Sequence, residues 1–592
     1  MKLRKNKGKS TIKNLLNLWK YINRRRKRQL IYLLILMNIS GIMEIFTLAA
    51  VIPFFNILLN PERVLENKLI IFLGISNKEI LFFIVPMFFG ILALISSLIR
   101  IFNLWANGRI ASSIGADISI KCFEKVIKQD YSFHLKQNSN EVINTLNIEM
   151  SRVPAFFDSV LKLISTSIIL FCLLITMSII NWEITFVSAF IIGSTYSIIL
   201  FLCKGRLRKN SKNISESNDN LIKYLQEGLG SIKDLILNQN YPYYTKKYEK
   251  IERKIRYLQI ENKFLAIVPR FGIEGLVLFL VSIYTLILLN YSSSDLKNNI
   301  AVIGTLILGA QRVLPLIQLI YAALIQVQAL RTTLIRVLEY LHIKEFNYVN
   351  VKNTTSKFTK DIEFKNVSFK YEKVSKFVLD NISINILKGE RIGIMGKSGS
   401  GKSTLVDLIM GLHKPSKGLI YIDGKDINSI NNFPELKIWH KSISHMSQKL
   451  FFTNSSIKEN IAFGFTKKEI DMKQIKKVSN LAKISDYVES LPYGYETIVG
   501  EGGGNLSGGQ LQRIALARAL YRNPKVLIFD EITSALDKKT EEEVLSSIQS
   551  LDEKITIIMI AHSKSTLRNC DRVIEIENGK IKKILNKSEF IK

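Results

Sequence analysis

The run "GKSGSGKST", Gly396 to Thr404, has a composition that holds phosphate. Gly396, Gly401, Lys402 and Ser403 fit G-x-x-x-x-G-K-[ST], with Lys397, Ser398, Gly399 and Ser400 filling the variable positions and Thr404 next in the chain. Glycines let successive backbone N–H groups curl around an anion, a lysine reaches the β/γ oxygens, and a serine hydroxyl can ligate magnesium. The apolar helix predicted after the loop adds its positive end to the same site. A second constellation lies in "KVLIFDE": an apolar strand ends in Asp530 and Glu531, so that one carboxylate can hold magnesium while the other orients or deprotonates an attacking water. A third is "ITIIMIAHS", a buried strand ending in His562. A lone histidine there is either structural or within reach of a γ-phosphate, and spacing alone does not separate the two. A fourth is "NLSGGQLQRIALARAL", Asn505 to Leu520, a glycine turn with no lysine that runs into a helix.

Around these residues the chain has two kinds of composition. Of 592 residues, 47% are hydrophobic and the net charge is +32, a balance that points to an anionic membrane surface or a nucleic acid. Spanning a bilayer takes about 20 apolar residues in a helix. Leu163–Trp182, Ile184–Cys203, Gly275–Ser294 and Ile80–Ile99 carry no charged side chain. Leu30–Leu59 is interrupted by Glu44 and Asn299–Val327 by Arg312, each with enough apolar residues on both sides to cross while facing a cavity. Six spans place much of the basic excess by topology, which excludes nucleic acid as its explanation. Between Met1 and Arg28 stand twelve Lys or Arg and no acid, which suits a cytoplasmic anchor for the first span rather than a cleaved leader.

Helical spacing with interleaved charges across Cys122–Val153 and Lys204–Lys263 predicts that spans continue as helices into the cytoplasm. The expected organisation is a basic tail over 1–28, an all-α six-helix transmembrane domain over 29–340, a polar linker over 341–360 and an α/β P-loop nucleotide-binding domain over 361–592. Cys122, Cys172, Cys203 and Cys570 follow neither metal nor disulfide spacing and read as four incidental thiols.

The second domain resembles the nucleotide-binding domain of an ATP-binding cassette transporter. "LSGGQ" at Leu506–Gln510 is similar to the family signature, "SALD" at Ser534–Asp537 to its D-loop, Gln448 in "HMSQKLFF" to its Q-loop, and His562 to its switch histidine. Tyr371 in "SFKYEK" matches the aromatic that stacks on adenine, and Glu501 in "VGEGGG" an acid that contacts coupling helices. The resemblance implies ATP and Mg²⁺ as ligands. Gln448 would sense magnesium and relay to the membrane domain, while Ser507, Gly508, Gly509 and Gln510 would face nucleotide. Asp537 would belong to coupling, and His562 would contact the γ-phosphate. In this family nucleotide domains pair head to tail, so each ATP lies between one P-loop and the partner's signature turn. One chain with one of each and one set of spans is then half a transporter, and intact Lys402, Ser507, Glu531 and His562 favour a homodimer.

Six spans fused ahead of the cassette resemble the exporter class, with coupling helices expected near Asn138–Val142 and Gly228–Leu235. "SGIMEIFTLAAVIPFFNILLNP", "QNSNEVIN", "EGLGSIKDLIL" and "GAQRVLPLIQLI" are similar to bacterial flippases of lipid-linked oligosaccharides, which implies a lipid-linked substrate and a location in the cytoplasmic membrane. Arg100, Arg270 and Arg312 sit within or at the ends of spans, where unpaired charge is expensive. They either line a cavity for an anionic head, or pair with Glu44 or Glu274, or snorkel to the interface. The segment Asn60–Lys78 could form an external amphipathic helix or a plain connector. Competing functions are export of a peptide, protein or small amphiphile, and an ATP-gated channel or regulator, although an intact Glu531 favours turnover.

Overall fold

The computed structural model describes the chain except residues 1–10, 52–53, 55–56, 58–77, 181, 292–295, 344–357, 373–374, 428–432, 533–537 and 592. It divides into two compact units. One holds Met1–Gln129 and His134–Glu345, and the other holds Asp130–Phe133 and Phe346–Lys592.

The first unit is helical. Its elements are α1 (Thr11–Trp19), α2 (Arg24–Ala49), α3 (Lys78–Ile127), α4 (Tyr131–Lys136), α5 (Ser139–Asn144), α6 (Val153–Ile180), α7 (Trp182–Gly230), α8 (Ile232–Asn238), α9 (Tyr241–Tyr291), α10 (Leu296–Ala329) and α11 (Arg331–Leu341), with Tyr131–Phe133 at the start of α4 grouped with the second unit. Helices α3, α7 and α9 have 50, 49 and 51 residues. At 1.5 Å per residue each is about 75 Å long, far more than a bilayer of about 30 Å requires. The spans therefore run on as helices beyond the apolar layer, as the charge pattern leads one to expect. Among the described residues five helices are long and apolar enough to cross a membrane. Of the remaining expected span, Gly275–Ser294, residues 275–291 form the end of α9, and the rest, with most of the side chains, lies outside the described residues.

Close packing follows from small residues at crossings. A Cβ at Gly115 on α3 would come within 2.5 Å of the Pro154 ring on α6, so only glycine admits this approach. Leu48, Val51, Ile169, Leu173, Met177, Val313 and Leu316 bury an apolar cluster shared by α2, α6 and α10. Farther along, a five-residue π-turn, Thr145–Glu149, brings the carboxylate of Glu149 into the interior. It accepts from the hydroxyls of Ser215 and Thr333, both at 2.5 Å. Arg336 lays its guanidinium fork on Asp219 at 2.9 and 2.6 Å, which fastens α11 to α7.

The second unit is α/β. A four-stranded antiparallel sheet has the order β2 (Leu379–Leu387), β1 (Asp361–Phe369), β4 (Lys417–Ile422), β5 (Lys425–Asp426). A six-stranded sheet runs β10 (Lys580–Asn586), β9 (Arg572–Glu577), β3 (Arg391–Met395), β8 (Thr556–Ile560), β7 (Val526–Asp530), β6 (Ile443–Met446). All its pairings are parallel except β10 with β9. The central strands are apolar on both faces, as parallel strands covered by helices must be. Ile392, Ile394, Val526, Ile528, Ile558 and Ile560 fill one core, and Leu527, Phe529, Ile557 and Met559 the other. Two helices matter for the site, α12 (Lys402–Ile409) and α13 (Gly508–Tyr521).

Candidate functional site

Strands β3, β7 and β8 are neighbours in the large sheet, and their carboxyl ends deliver the sequence-predicted residues to one edge. The glycine loop joins β3 to α12. Gly401 caps α12 at φ 105°, where a Cβ would meet Leu379 at 2.8 Å, so the turn excludes other residues. Lys402 is buried, and its ammonium donates to the carbonyls of Gly396 at 2.9 Å and Lys397 at 3.2 Å. The loop is thus already curled about its own lysine, with the dipole of α12 behind it.

At the end of β7, Glu531 takes the left-handed region at φ 51° and donates its N–H to the Ile560 carbonyl at 3.0 Å. A non-glycine residue there carries strain of order 1 kcal/mol, a cost often met at functional positions. The twist turns its carboxylate toward two partners. One oxygen lies 2.7 Å from Nε2 of His562, and the other accepts from Nε2 of Gln448 at 2.8 Å. Three residues taken separately from the sequence are therefore one hydrogen-bonded group.

The adjacent acid behaves differently. Burial raises the Asp530 carboxyl above the usual range, the charge of Glu531 adds to this, and Lys402 opposes it. Asp407, on α12, is pushed up to about 6 by burial and then by the nearby Asp530. An edge carrying Asp407, Asp530 and Glu531 gathers negative charge whose natural complement is a cation brought with phosphate.

Tyr371 stands beside the loop. Its hydroxyl is 3.2 Å from that of Thr404, and its ring packs edge-on against Phe369. The signature turn forms a capping box at the start of α13. Ser507 Oγ accepts from the Gln510 N–H at 3.4 Å, while Gln510 Oε1 accepts from the Ser507 N–H at 2.8 Å. The pattern S-x-x-Q before an apolar run announces this arrangement. The free N–H groups of Gly508 and Gly509 then form the positive end of a 14-residue helix without an acid in its first turn.

Arg518 on α13 has a role that spacing does not disclose. Its guanidinium donates to the carbonyls of Asn460 and Phe451, each at 2.7 Å, and lies 4.6 Å from the Phe452 ring centre. Burial lowers it to about 10. A single cation inside the apolar stretch "IALARAL" is the signal that could have found it. Of the remaining predicted residues, Asp537 and the rest of the 534–537 run lie outside the described residues, as does the side chain of Glu501.

The membrane unit holds a second constellation. Glu44 on α2 is 2% exposed and accepts from Ser96 Oγ at 3.1 Å, from Arg100 at 3.4 Å and from Arg312 at 3.2 Å. Arg312 also donates to Thr47 Oγ1 at 2.9 Å. Arg270 stands apart, 3.8 Å from Glu274 on its own helix. The expected coupling segments correspond to α5 and to α8 with the end of α7, whereas the short stretch that groups with the second unit is Asp130–Phe133. The four cysteines are free.

Known proteins share this plan. Residues 379–534 match the ABC transporter family and residues 29–311 match the ABC transporter transmembrane region. The ATP-dependent lipid A-core flippase of Cupriavidus metallidurans is 27% identical over 503 residues, covering 84% of this chain and 83% of that protein. The heterocyst differentiation ATP-binding protein HepA of Nostoc sp. is 29% identical over 471 residues, 79% of this chain and 76% of that one. The leukotoxin translocation ATP-binding protein LktB of Mannheimia glucosida is 43% identical over 221 residues, which is 37% of this chain and 30% of that protein. A bacterial Atm1-family ABC exporter with ATP bound has the same fold, with TM-score 0.75 at 20% identity over 95% of this chain and 96% of that one. With helical membrane unit and P-loop unit both accounted for, the chain belongs to the ABC transporters and is an exporter that couples ATP hydrolysis to transport across the membrane in which it is embedded.

Proposed function

We propose that the chain is a homodimeric flippase that moves a lipid-linked oligosaccharide or related glycolipid across the bacterial cytoplasmic membrane, with its amino terminus and nucleotide domain on the cytoplasmic side. The observation that carries this reading is the group in which Arg100 and Arg312 close on the buried carboxylate of Glu44. Three spans contribute one carboxylate and two guanidiniums, a surplus of one positive charge where charge is costly. Arginine's planar fork suits a phosphate as well as a carboxylate, so an anionic lipid head can take the place of Glu44 on the same guanidiniums. The lipid A-core flippase supports the reading, because it is matched through most of both chains. The leukotoxin translocation protein is matched over 221 residues only, and bears less on cargo.

In the nucleotide domain the Ser403 hydroxyl, the Asp530 carboxylate and the Gln448 side-chain oxygen make an all-oxygen donor set suited to Mg²⁺, which when bound neutralises developing charge on the phosphates. Lys402 and the loop N–H groups hold the β/γ phosphates, and Tyr371 stacks on adenine. Glu531 orients and deprotonates water, and His562, now on Glu531, turns to the γ-phosphate. Gln448 passes closure on to the spans.

The test is reconstitution in liposomes with a panel of lipid-linked sugars, reading flipping and ATPase together. Flipping should be abolished by Arg312→Ala with basal ATPase retained, and both should be lost in Glu531→Gln. Flipping that survives Arg312→Ala removes the anion-binding reading. Flux that continues in Glu531→Gln with ATP trapped makes the protein a gated channel instead.

A further inference from the structure

Tyr371 is anchored at two places. Its hydroxyl meets Thr404, directly after the phosphate loop, and its ring packs in a cluster with Phe369 and His413. Ring centres are 5.0 Å apart for Phe369 and Tyr371, at 83°, and 5.6 Å for Tyr371 and His413, at 89°. Phe369 and His413 stack on each other at 5.0 Å and 30°. Both supporting rings are 6% exposed, whereas Tyr371 is only half-buried. A partly exposed tyrosine thus stands edge-on upon two interior rings. His413 Nε2 is in turn 3.9 Å from Asp407 on α12.

We propose that His413 is a positioning residue for the adenine base: it fixes the plane of Tyr371, and so contributes to base recognition without touching nucleotide. The idea rests on the reading of Tyr371 as the adenine platform. A stacking side chain binds best when its orientation is set beforehand, since ordering it on binding costs affinity. Phe369 alone leaves the ring free to pivot about its hydroxyl contact; two rings at nearly right angles to it do not. Because the same tyrosine reaches Thr404, its plane is also fixed relative to the P-loop, which holds the other end of the nucleotide.

The experiment compares full-length protein with His413→Ala, His413→Leu and His413→Phe, titrating MgATP and, separately, inorganic tripolyphosphate as a competitor that has no base. Edge-to-face aromatic pairs contribute enough that their loss raises KM for ATP by about 2- to 12-fold. In His413→Ala or His413→Leu that rise should appear with kcat changed by less than about twofold and with tripolyphosphate inhibition unmoved. His413→Phe should restore KM. The leucine variant keeps the interior filled if the alanine variant does not fold. An unchanged KM in the leucine variant overturns the proposal, as does an equal loss of ATP and tripolyphosphate affinity. Tyr371→Ala separates the two levels. If it leaves KM unchanged, the adenine platform itself is misassigned. If it raises KM while His413→Leu does not, only the role of His413 falls.

Discussion

Glu531, at the end of β7, and Asp407, on α12, are two carboxylates held in different ways. Glu531 is held by His562 and Gln448 in a left-handed turn. Asp407 has burial and Asp530 against it, and titrates at about 6. Its folded value lies above the ordinary value of 3.8. The folded state therefore binds the proton more tightly than the unfolded one, and the ionised group costs stability that is absent below the ordinary value and fully felt above the folded one. Asp407→Asn should accordingly raise the unfolding temperature of the nucleotide domain at pH 7.5 by several degrees, and by little or nothing near pH 4. Thermal unfolding of the apo protein at the two pH values checks this, and an equal shift at both would mean that the carboxylate's charge is not the cause. The motif residues of the site were legible because each sits in a pattern with its own local logic. The raised Asp407 was not, since its causes are burial and then the charge of Asp530, which lies more than a hundred residues away in sequence.

At the scale of elements, α13 begins at the Ser507 capping box, and Arg518 ties the far end of the helix to the segment that holds Phe451 and Asn460. Its forked donors satisfy the carbonyls of Asn460 and Phe451, just beyond the Gln448 segment. Arg518→Ala leaves these acceptors without their donor, a loss of about 1–3 kcal/mol. Arg518→Lys should recover little, because one ammonium cannot span both. Chemical unfolding should show the loss in both variants and ATPase should fall with it; full stability in the lysine variant would mean that charge alone suffices. The elements themselves could be read closely. Apolar runs became α2, α3, α6, α7 and α10, and charge-laced extensions continued them. Partners could not be read. Glu44 and Arg312 are far apart in sequence, and the alternatives of an open basic cavity and an internal ion pair were equally consistent with it. The structure pairs them, and it also separates Arg270, which shares their chemistry but lies on a helix whose nearest acid is its own Glu274.

For the whole molecule, the proposed homodimer makes each nucleotide site a joint product of two copies. P-loop and signature turn are both present once, and each is preorganised without the other: Lys402 is held by its own loop, and Ser507 by its own capping box. A cavity needing both would be finished by a second copy in head-to-tail pairing, which around a two-fold axis yields two equivalent sites. The arrangement makes a prediction that no single variant can test. Lys402→Ala disables the P-loop half, and Ser507→Arg fills the signature half; a homodimer of either has two dead sites. Mixed dimers differ, because one site collects both defects and the other collects none. Unfolding and refolding is unnecessary: co-expressing the two variants with different tags and isolating doubly tagged protein gives mixed dimers directly. These should occlude about half as much ATP per dimer as wild type, whereas the separately purified variants occlude none. If each chain completed its own site, mixing could restore nothing, and occlusion would stay at the level of the parents. Nucleotide occlusion is the measurement of choice, since a dimer with one sound site can trap ATP even where turnover needs both.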